Sequence, residues 1–598
     1  MWRRVGVAVL LLLAPAVGRA ADAPDVPERL LPAETQIYLR WDGVAAHRAA
    51  YEKTALGRTL QGDLGKFVAS VFAQGQDLLG GAVVQQLLQG VPPDKLQKIQ
   101  ADAAEAPKLV HVLAKHGVIL AVEVHSLQPP QAQVTLVFPN AGDDAKPLLA
   151  TLRLATALSK TPVQERKVQG RTLYQLAAGP VPVAWWVEGK HVILTGGTRL
   201  PETTLRQLDK GPRLTDNPLF RRVAGFKDFE TGARAFVDVA GLAKITTAGN
   251  PAASGLLKDL GVDGIKGLTA YSGFAGAAER DLVEMELTGQ RKGVLAMLTG
   301  KPFTLADVPP LPADSTTWAM THFDAKTAYD EGLRAAEGVL RVVAPDQATK
   351  LQEFVKQANE GLGVDLRQDV LGSLGEQMVQ YSTPSEGALF FGQTYLLKVK
   401  DPKKLQDSLD QALKGLGKLV NVNITVRKRA YHGAELHEVH VRQQGFFFLP
   451  TFVVHKGWLA LSYYPQAVQG YVLRTNGELP AWKPGARTRA ALEQLPKEFL
   501  SISVSDPRPG VRLVLSLAPL IGASVNSALP DSKFDVGLVP NGNEVARHLF
   551  PNVTVAALEG NTLRLESRAS LALPLDLGNT DTLFGAGLLI PFLARVAK

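Results

Sequence analysis

One phrase occurs twice in this chain and constrains its architecture more than any other feature. Leu31-Pro32-Ala33-Glu34-Thr35 stands near the start, and Leu311-Pro312-Ala313-Asp314-Ser315 stands 280 positions later. Each copy is followed by a strand-like apolar run, an aspartate and a helix-like stretch. A long-range repeat of that kind is the mark of two diverged copies of one unit.

Met1–Ala20 has the form of a secretory signal peptide. Arg3 and Arg4 are the basic start, Val5–Val17 is the apolar stretch, and Gly18 and Ala20 are the small residues of a cleavage site. The apolar run is shorter than a membrane span requires, so cleavage is expected and no span afterwards. There is no cysteine in 598 residues. That excludes disulfides, a cysteine-anchored lipoprotein, thiol catalysis, iron–sulfur ligation and cysteine-based zinc sites. An exported chain of this size without disulfides points to a bacterium, where it is expected to be periplasmic or secreted.

The formal charge is +8. Without Arg3, Arg4 and Arg19 the 65 basic residues become 62, against 57 acidic ones. The excess is scattered, and Arg427-Lys428-Arg429 is the densest cluster. Nucleic-acid binding calls for a basic face with aromatic partners or a known motif, and export and the scattered charge argue against it. The expected partners are an envelope surface or another exported protein.

Both halves read in the same order. Glu34–Trp41 and Thr316–Phe323 are strands that lead to Asp42 and Asp324. The helices that follow are expected near Val44–Leu60 and over Ala325–Val343. Further strands lead to helices near Ala145–Leu158, with Asp143 or Asp144 as cap, and Lys403–Leu416, started by Asp401-Pro402. A β-meander comes next, with Gly-containing turns at Gln169-Gly170 and His432-Gly433. The fold class is α+β: two tandem diverged copies of an antiparallel sheet with helices packed on one face. The expected boundaries are 1–20 for the signal, 21–300 for the first half, 301–312 for a Pro-rich linker, 313–582 for the second half and 583–598 for an apolar tail. The tail reads as a docked terminal segment, with a peripheral membrane foot as the alternative.

Several phrases carry a family resemblance. They are Leu31-Pro32-Ala33-x-Thr35, the strand ending at Asp42, Lys53-Thr54-Ala55-Leu56-Gly57, and Leu214-Thr215-Asp216-Asn217-Pro218-Leu219-Phe220-Arg221. Together they resemble an uncharacterised family of exported bacterial proteins known as a domain of unknown function. The second half departs from it, with Ser315 for threonine and neither of the last two phrases. The resemblance implies export and domain architecture. It brings no catalytic residue.

Candidate chemistry is sparse. The strand-end carboxylates Asp42 and Asp324 are the candidates for paired-carboxylate catalysis, should the halves bring them together. The reading preferred for each is a helix cap. His432, Glu435, His437, Glu438 and His440 form the densest metal-like set. Strand alternation leaves only Glu438 and His440 as same-face neighbours, too few for zinc, so a solvated strand is expected. Trp185, Phe447 and Trp458 are the candidates for an apolar ligand platform, against sheet core as the preferred reading. No nucleophile elbow, P-loop or dinucleotide turn occurs, and no cofactor is expected.

The expected function is therefore that of an exported non-catalytic binding, scaffold or envelope-interaction protein. The alternatives are a periplasmic hydrolase with carboxylates between the halves and a carrier of a lipid or other apolar ligand.

Overall fold

The computed structural model describes residues 26–71, 93–127, 129–158, 162–176, 181–248, 250–289, 291–297, 300–387, 392–419, 422–442, 448–528 and 535–571. Residues 1–20, expected to be a signal peptide, Phe447 and the tail 583–598 lie outside these. The chain divides into two compact units. One comprises Met1–Thr246, Gly267–Val283 and Gly510–Leu549; the other comprises Thr247–Lys266, Glu284–Pro509 and Phe550–Lys598.

The strands of the first unit are β1 (Ile37–Trp41), β2 (Val118–Leu127), β3 (Pro130–Phe138), β4 (Val163–Val168), β5 (Arg171–Leu176), β6 (Val183–Glu188), β7 (His191–Gly197), β8 (Glu230–Val237), β9 (Ile265–Ala275) and β10 (Ala278–Leu287), the last two crossing its boundaries. They lie in the order β4-β5-β6-β7-β3-β2-β1-β8-β9-β10. The second unit has β11 (Thr317–His322), β12 (Leu374–Ser382), β13 (Gln393–Val399), β14 (Asn423–Tyr431), β15 (Ala434–Arg442), β16 (Thr451–His455), β17 (Trp458–Ser462), β18 (Ser501–Ser505), β19 (Asn552–Glu559) and β20 (Thr562–Ala569). Their order is β14-β15-β16-β17-β13-β12-β11-β18-β19-β20. The spatial order is the same in both, strand for strand, and neighbouring strands run antiparallel.

The repeated phrase does the same job in each unit. Thr35 N–H donates to Pro32 O, and Ser315 N–H donates to Pro312 O, at 3.3 and 3.1 Å. Each turn delivers the chain into a central strand, β1 or β11. The next amides repeat the pattern: Gln36 N–H bonds Val122 O, and Thr316 N–H bonds Ser382 O.

Tight turns set the meander registers. Gln169-Gly170, His432-Gly433 and Lys456-Gly457 each place two residues at positive φ, as a two-residue hairpin with the twist of its strands demands. The glycines take φ of +80° without strain.

Helices cover both faces of the strands in each unit, which corrects the one-face expectation. In β7, Ile193 packs with Leu205 of the helix Pro201–Lys210, while Val192 packs with Leu148 of the helix Ala145–Leu158. In the second unit Ala460 of β17 packs with Val468 and Tyr471 of the helix Pro465–Thr475. Its neighbour Leu459 packs with Leu405 of the helix Pro402–Leu419. Successive strand residues point to opposite faces, so a meander strand apolar at consecutive positions needs a cover on each side.

Two further expectations are revised. The helix near Val44–Leu60 is interrupted: Arg48–Tyr51 ends, and Thr54 caps a new helix, Ala55–Leu60, by accepting from Gly57 N–H at 2.9 Å. The Pro-rich stretch 301–312, expected as a linker, is packed into the second unit. Phe303 and Leu311 are buried in the second unit's core, and Phe303 exchanges backbone hydrogen bonds with Phe499.

Candidate functional site

The strand-end carboxylates are used differently in the two units. Asp324 is a helix cap, as its position before Ala325–Val343 predicts. Its Oδ1 accepts from the amides of Lys326 and Thr327 at 3.1 and 3.2 Å, and its Oδ2 accepts from Thr327 Oγ1 at 2.7 Å. These donors hold its carboxyl below the usual range, against the opposing effect of burial.

Asp42 is not a cap. Its side chain is 9 % exposed and sits among three basic groups: Arg40 Nε, Arg234 Nη2 at 3.1 Å and His47 Nε2 at 3.4 Å. Burial opposes its ionisation, but bonds from His47 and Arg40 and the charge of Arg234 outweigh that and hold the carboxyl well below the ordinary range. His47 also reaches Glu230 through Nδ1 at 2.8 Å, and the two carboxylates raise its pKa. Arg40 Nη1 and the Tyr38 hydroxyl both donate to the buried Glu28 Oε1, at 2.7 and 2.8 Å. Burial, joined by the Glu28 charge, pushes the Tyr38 hydroxyl far up.

Three carboxylates thus meet Arg40, Arg234 and His47. The arrangement ties β1 to β8 and to the two short helical turns Pro27–Leu30 and Ala45–His47. A carboxylate so thoroughly engaged is a poor base or nucleophile at neutral pH. The chemistry that suits it is an internal ionic lock. Of its members only Asp42 stood out in the sequence. Arg234 and Glu230 lie on a strand far along the chain, and nothing in their local pattern marks them.

A second polar set lies on β2, β3 and β7. Glu123 bonds Arg199 Nη1 at 2.9 Å, and burial pushes its carboxyl up to about 7 despite that partner. Glu123 lines a small pocket with Leu31, Pro32, Thr135, Trp186 and Thr204. Its free space is about that of one water molecule, too little for an organic ligand.

Glu438 bonds Arg429 Nε at 2.9 Å, and His440 Nε2 lies 3.9 Å from Glu438 Oε2. No group of three or more metal-type ligands converges among the described residues. His437 corrects the solvated-strand expectation. It is fully buried, with Nδ1 3.0 Å from Asp410 and Nε2 2.8 Å from the Gln406 amide, both on the helix Pro402–Leu419. The ring stacks on Phe452.

Trp185 and Trp458 are both buried. Trp185 stacks on Tyr174 with ring centroids 5.9 Å apart, and Lys398 Nζ sits 4.7 Å above the Trp458 ring. In the second unit, the buried Arg474 pairs with Glu386 and donates to the Tyr381 hydroxyl at 2.7 Å. An open polar groove lies between the helices Ala325–Val343 and Pro345–Leu362, where Arg367 grips Asp330 at 2.5 and 2.7 Å. No described helix is long and apolar enough to cross a membrane.

No protein-family model matches the chain, and no curated protein matches it. Among solved structures it is similar to crystal forms I and III of TP0453. Form I is 10% identical with a TM-score of 0.22, and the match covers 45% of this chain and 81% of that one. Form III is 10% identical with a TM-score of 0.23, covering 46% and 84%.

Proposed function

We propose that this chain is an exported, non-catalytic binding or scaffold protein of a bacterial cell envelope, built from two diverged copies of one α+β unit. One observation carries the reading: both strand-end carboxylates are occupied, Asp42 by three basic side chains and Asp324 by helix amides and a threonine hydroxyl. The leader-like Met1–Ala20 supports export, and the absence of cysteine in an exported chain of this size supports a bacterial source. The common strand order and the matching Pro32 and Pro312 turns support duplication. The units also differ where shared chemistry would keep them alike. Tyr38 and Arg40 of β1 stand where β11 has Trp318 and Met320.

The test has two parts. Purified protein and Asp42→Asn are assayed on ester, glycoside, peptide and phosphoester substrates, and both should stay at buffer background. Turnover that Asp42→Asn abolishes while remaining folded would overturn the non-catalytic reading. A C-terminally tagged chain should fractionate with the periplasm or envelope of a bacterial host; cytosolic retention would overturn the export reading.

A further inference from the structure

The helix Pro507–Ala528 wears its amphipathicity inside out. A surface helix ordinarily turns its large apolar residues to the core and its small or polar ones to water. Here Leu513, Val514, Leu517, Leu520 and Ile521 are between 44 % and 67 % exposed. Their spacing of i, i+1, i+4, i+7 and i+8 gathers them on one arc. The opposite arc, Val511, Leu515, Ala518 and Gly522, is the less exposed one and carries the smaller set.

We infer that this arc lies flat on an anionic lipid surface. A contiguous stripe of five large apolar side chains calls for a cover. The charge on the helix selects a lipid cover: from 507 to 528 there is no acidic residue, and the charged residues are Arg508 and Arg512. Arg508 is held by Asp506, whereas Arg512 is exposed. The helix of twenty-two residues is about 33 Å long, and the stripe from Leu513 to Ile521 takes up about 12 Å of it. The helix is not apolar enough to cross a bilayer, so it lies in the interface, where a one-sided apolar face with basic flanks binds.

This rests on the envelope reading above. Full-length purified protein is floated with vesicles of phosphatidylethanolamine and phosphatidylglycerol, and separately with phosphatidylcholine vesicles, while light scattering records its mass. Wild type should co-float with the anionic vesicles and less with the neutral ones. Leu517→Ser/Leu520→Ser/Ile521→Ser should lower the partition coefficient about tenfold or more with an unchanged circular dichroism melt. Arg512→Ala should lower it several-fold at low salt and little at high salt. Wild type that stays with the soluble fraction overturns the inference, as does a triple variant that floats like wild type. Self-association that the triple variant abolishes, without vesicle binding, assigns the face to a second copy and overturns it too. Failure here leaves the non-catalytic envelope reading standing. Turnover or cytosolic retention sinks that reading whatever the vesicles show.

Discussion

Arg234 Nη2 stands 3.1 Å from Asp42 Oδ2, joining residues 192 positions apart. Removing the carboxylate would leave Arg234 with uncompensated positive charge in a partly enclosed site, while Arg40 keeps Glu28. Asp42→Ala should therefore cost about 3 kcal/mol in urea unfolding of the first unit. Asp324→Ala loses a helix cap and should cost about 1 kcal/mol. Equal costs would contradict the different roles assigned to the two aspartates.

Acid should act through Asp42. Its folded-state pKa lies below its ordinary value of 3.8, so its stabilisation is present above that value and is lost as pH falls toward the folded one. Urea midpoints measured below about pH 4 should fall more steeply for wild type than for Asp42→Asn, which has no proton to take up.

Glu123 should act in the opposite sense. Its folded-state pKa of about 7 lies above its ordinary value of 4.5. Its contribution is full below 4.5 and is lost as pH rises through about 7, a change of up to about 3 kcal/mol. Glu123→Gln should flatten the stability profile across that window. A profile that keeps the wild-type slope would mean that Arg199 holds Glu123 ionised throughout.

The Arg474–Glu386 pair in the second unit is buried on both sides, with side chains 2 % and 8 % exposed. Arg474→Met strands Glu386 and leaves the Tyr381 hydroxyl without its donor, so a loss of about 3–5 kcal/mol is expected. Adding Glu386→Leu should recover most of it, because the remaining cost of desolvating the carboxylate disappears. A double variant as unstable as the single one would mark the pair as a net source of stability.

Two glycines test two different reasons for glycine. Gly433 has φ +80° and open space around its missing Cβ, so Gly433→Ala should cost only the backbone term, about 1–2 kcal/mol. A Cβ on Gly415 would fall 2.4 Å from Leu362 O, where the helix Pro402–Leu419 meets the end of Pro345–Leu362. Gly415→Ala must push helix backbones apart and should cost more, about 3 kcal/mol. Thermal melts of the two variants give the comparison directly.

Local signals carried the reading where local physics decides. Asp324 announces a helix because a capping carboxylate needs only the next amides. The helix bounds Ala325–Val343 and Ala145–Leu158 followed from periodicity and flanking residues. Gln169-Gly170 and His432-Gly433 announce hairpins because two positive φ values belong to the turn itself. Trp185 and Trp458 sit in the sheet interior, where strand propensity places aromatics.

By itself, then, the sequence determined strands, the Asp324 cap, the hairpin turns and the order in which two similar units are written. Only the tertiary structure decided which partners those residues meet. Asp42 became the centre of an ion network because β8 returns beside β1 and brings Arg234 and Glu230 with it. His437 was buried because the helix Pro402–Leu419 closes over its face of β15. The stripe of Pro507–Ala528 is apolar in any reading of the residues, but its exposure is a property of the fold. Periodicity says that a helix has an apolar face; which face meets the core is decided by everything else the chain packs.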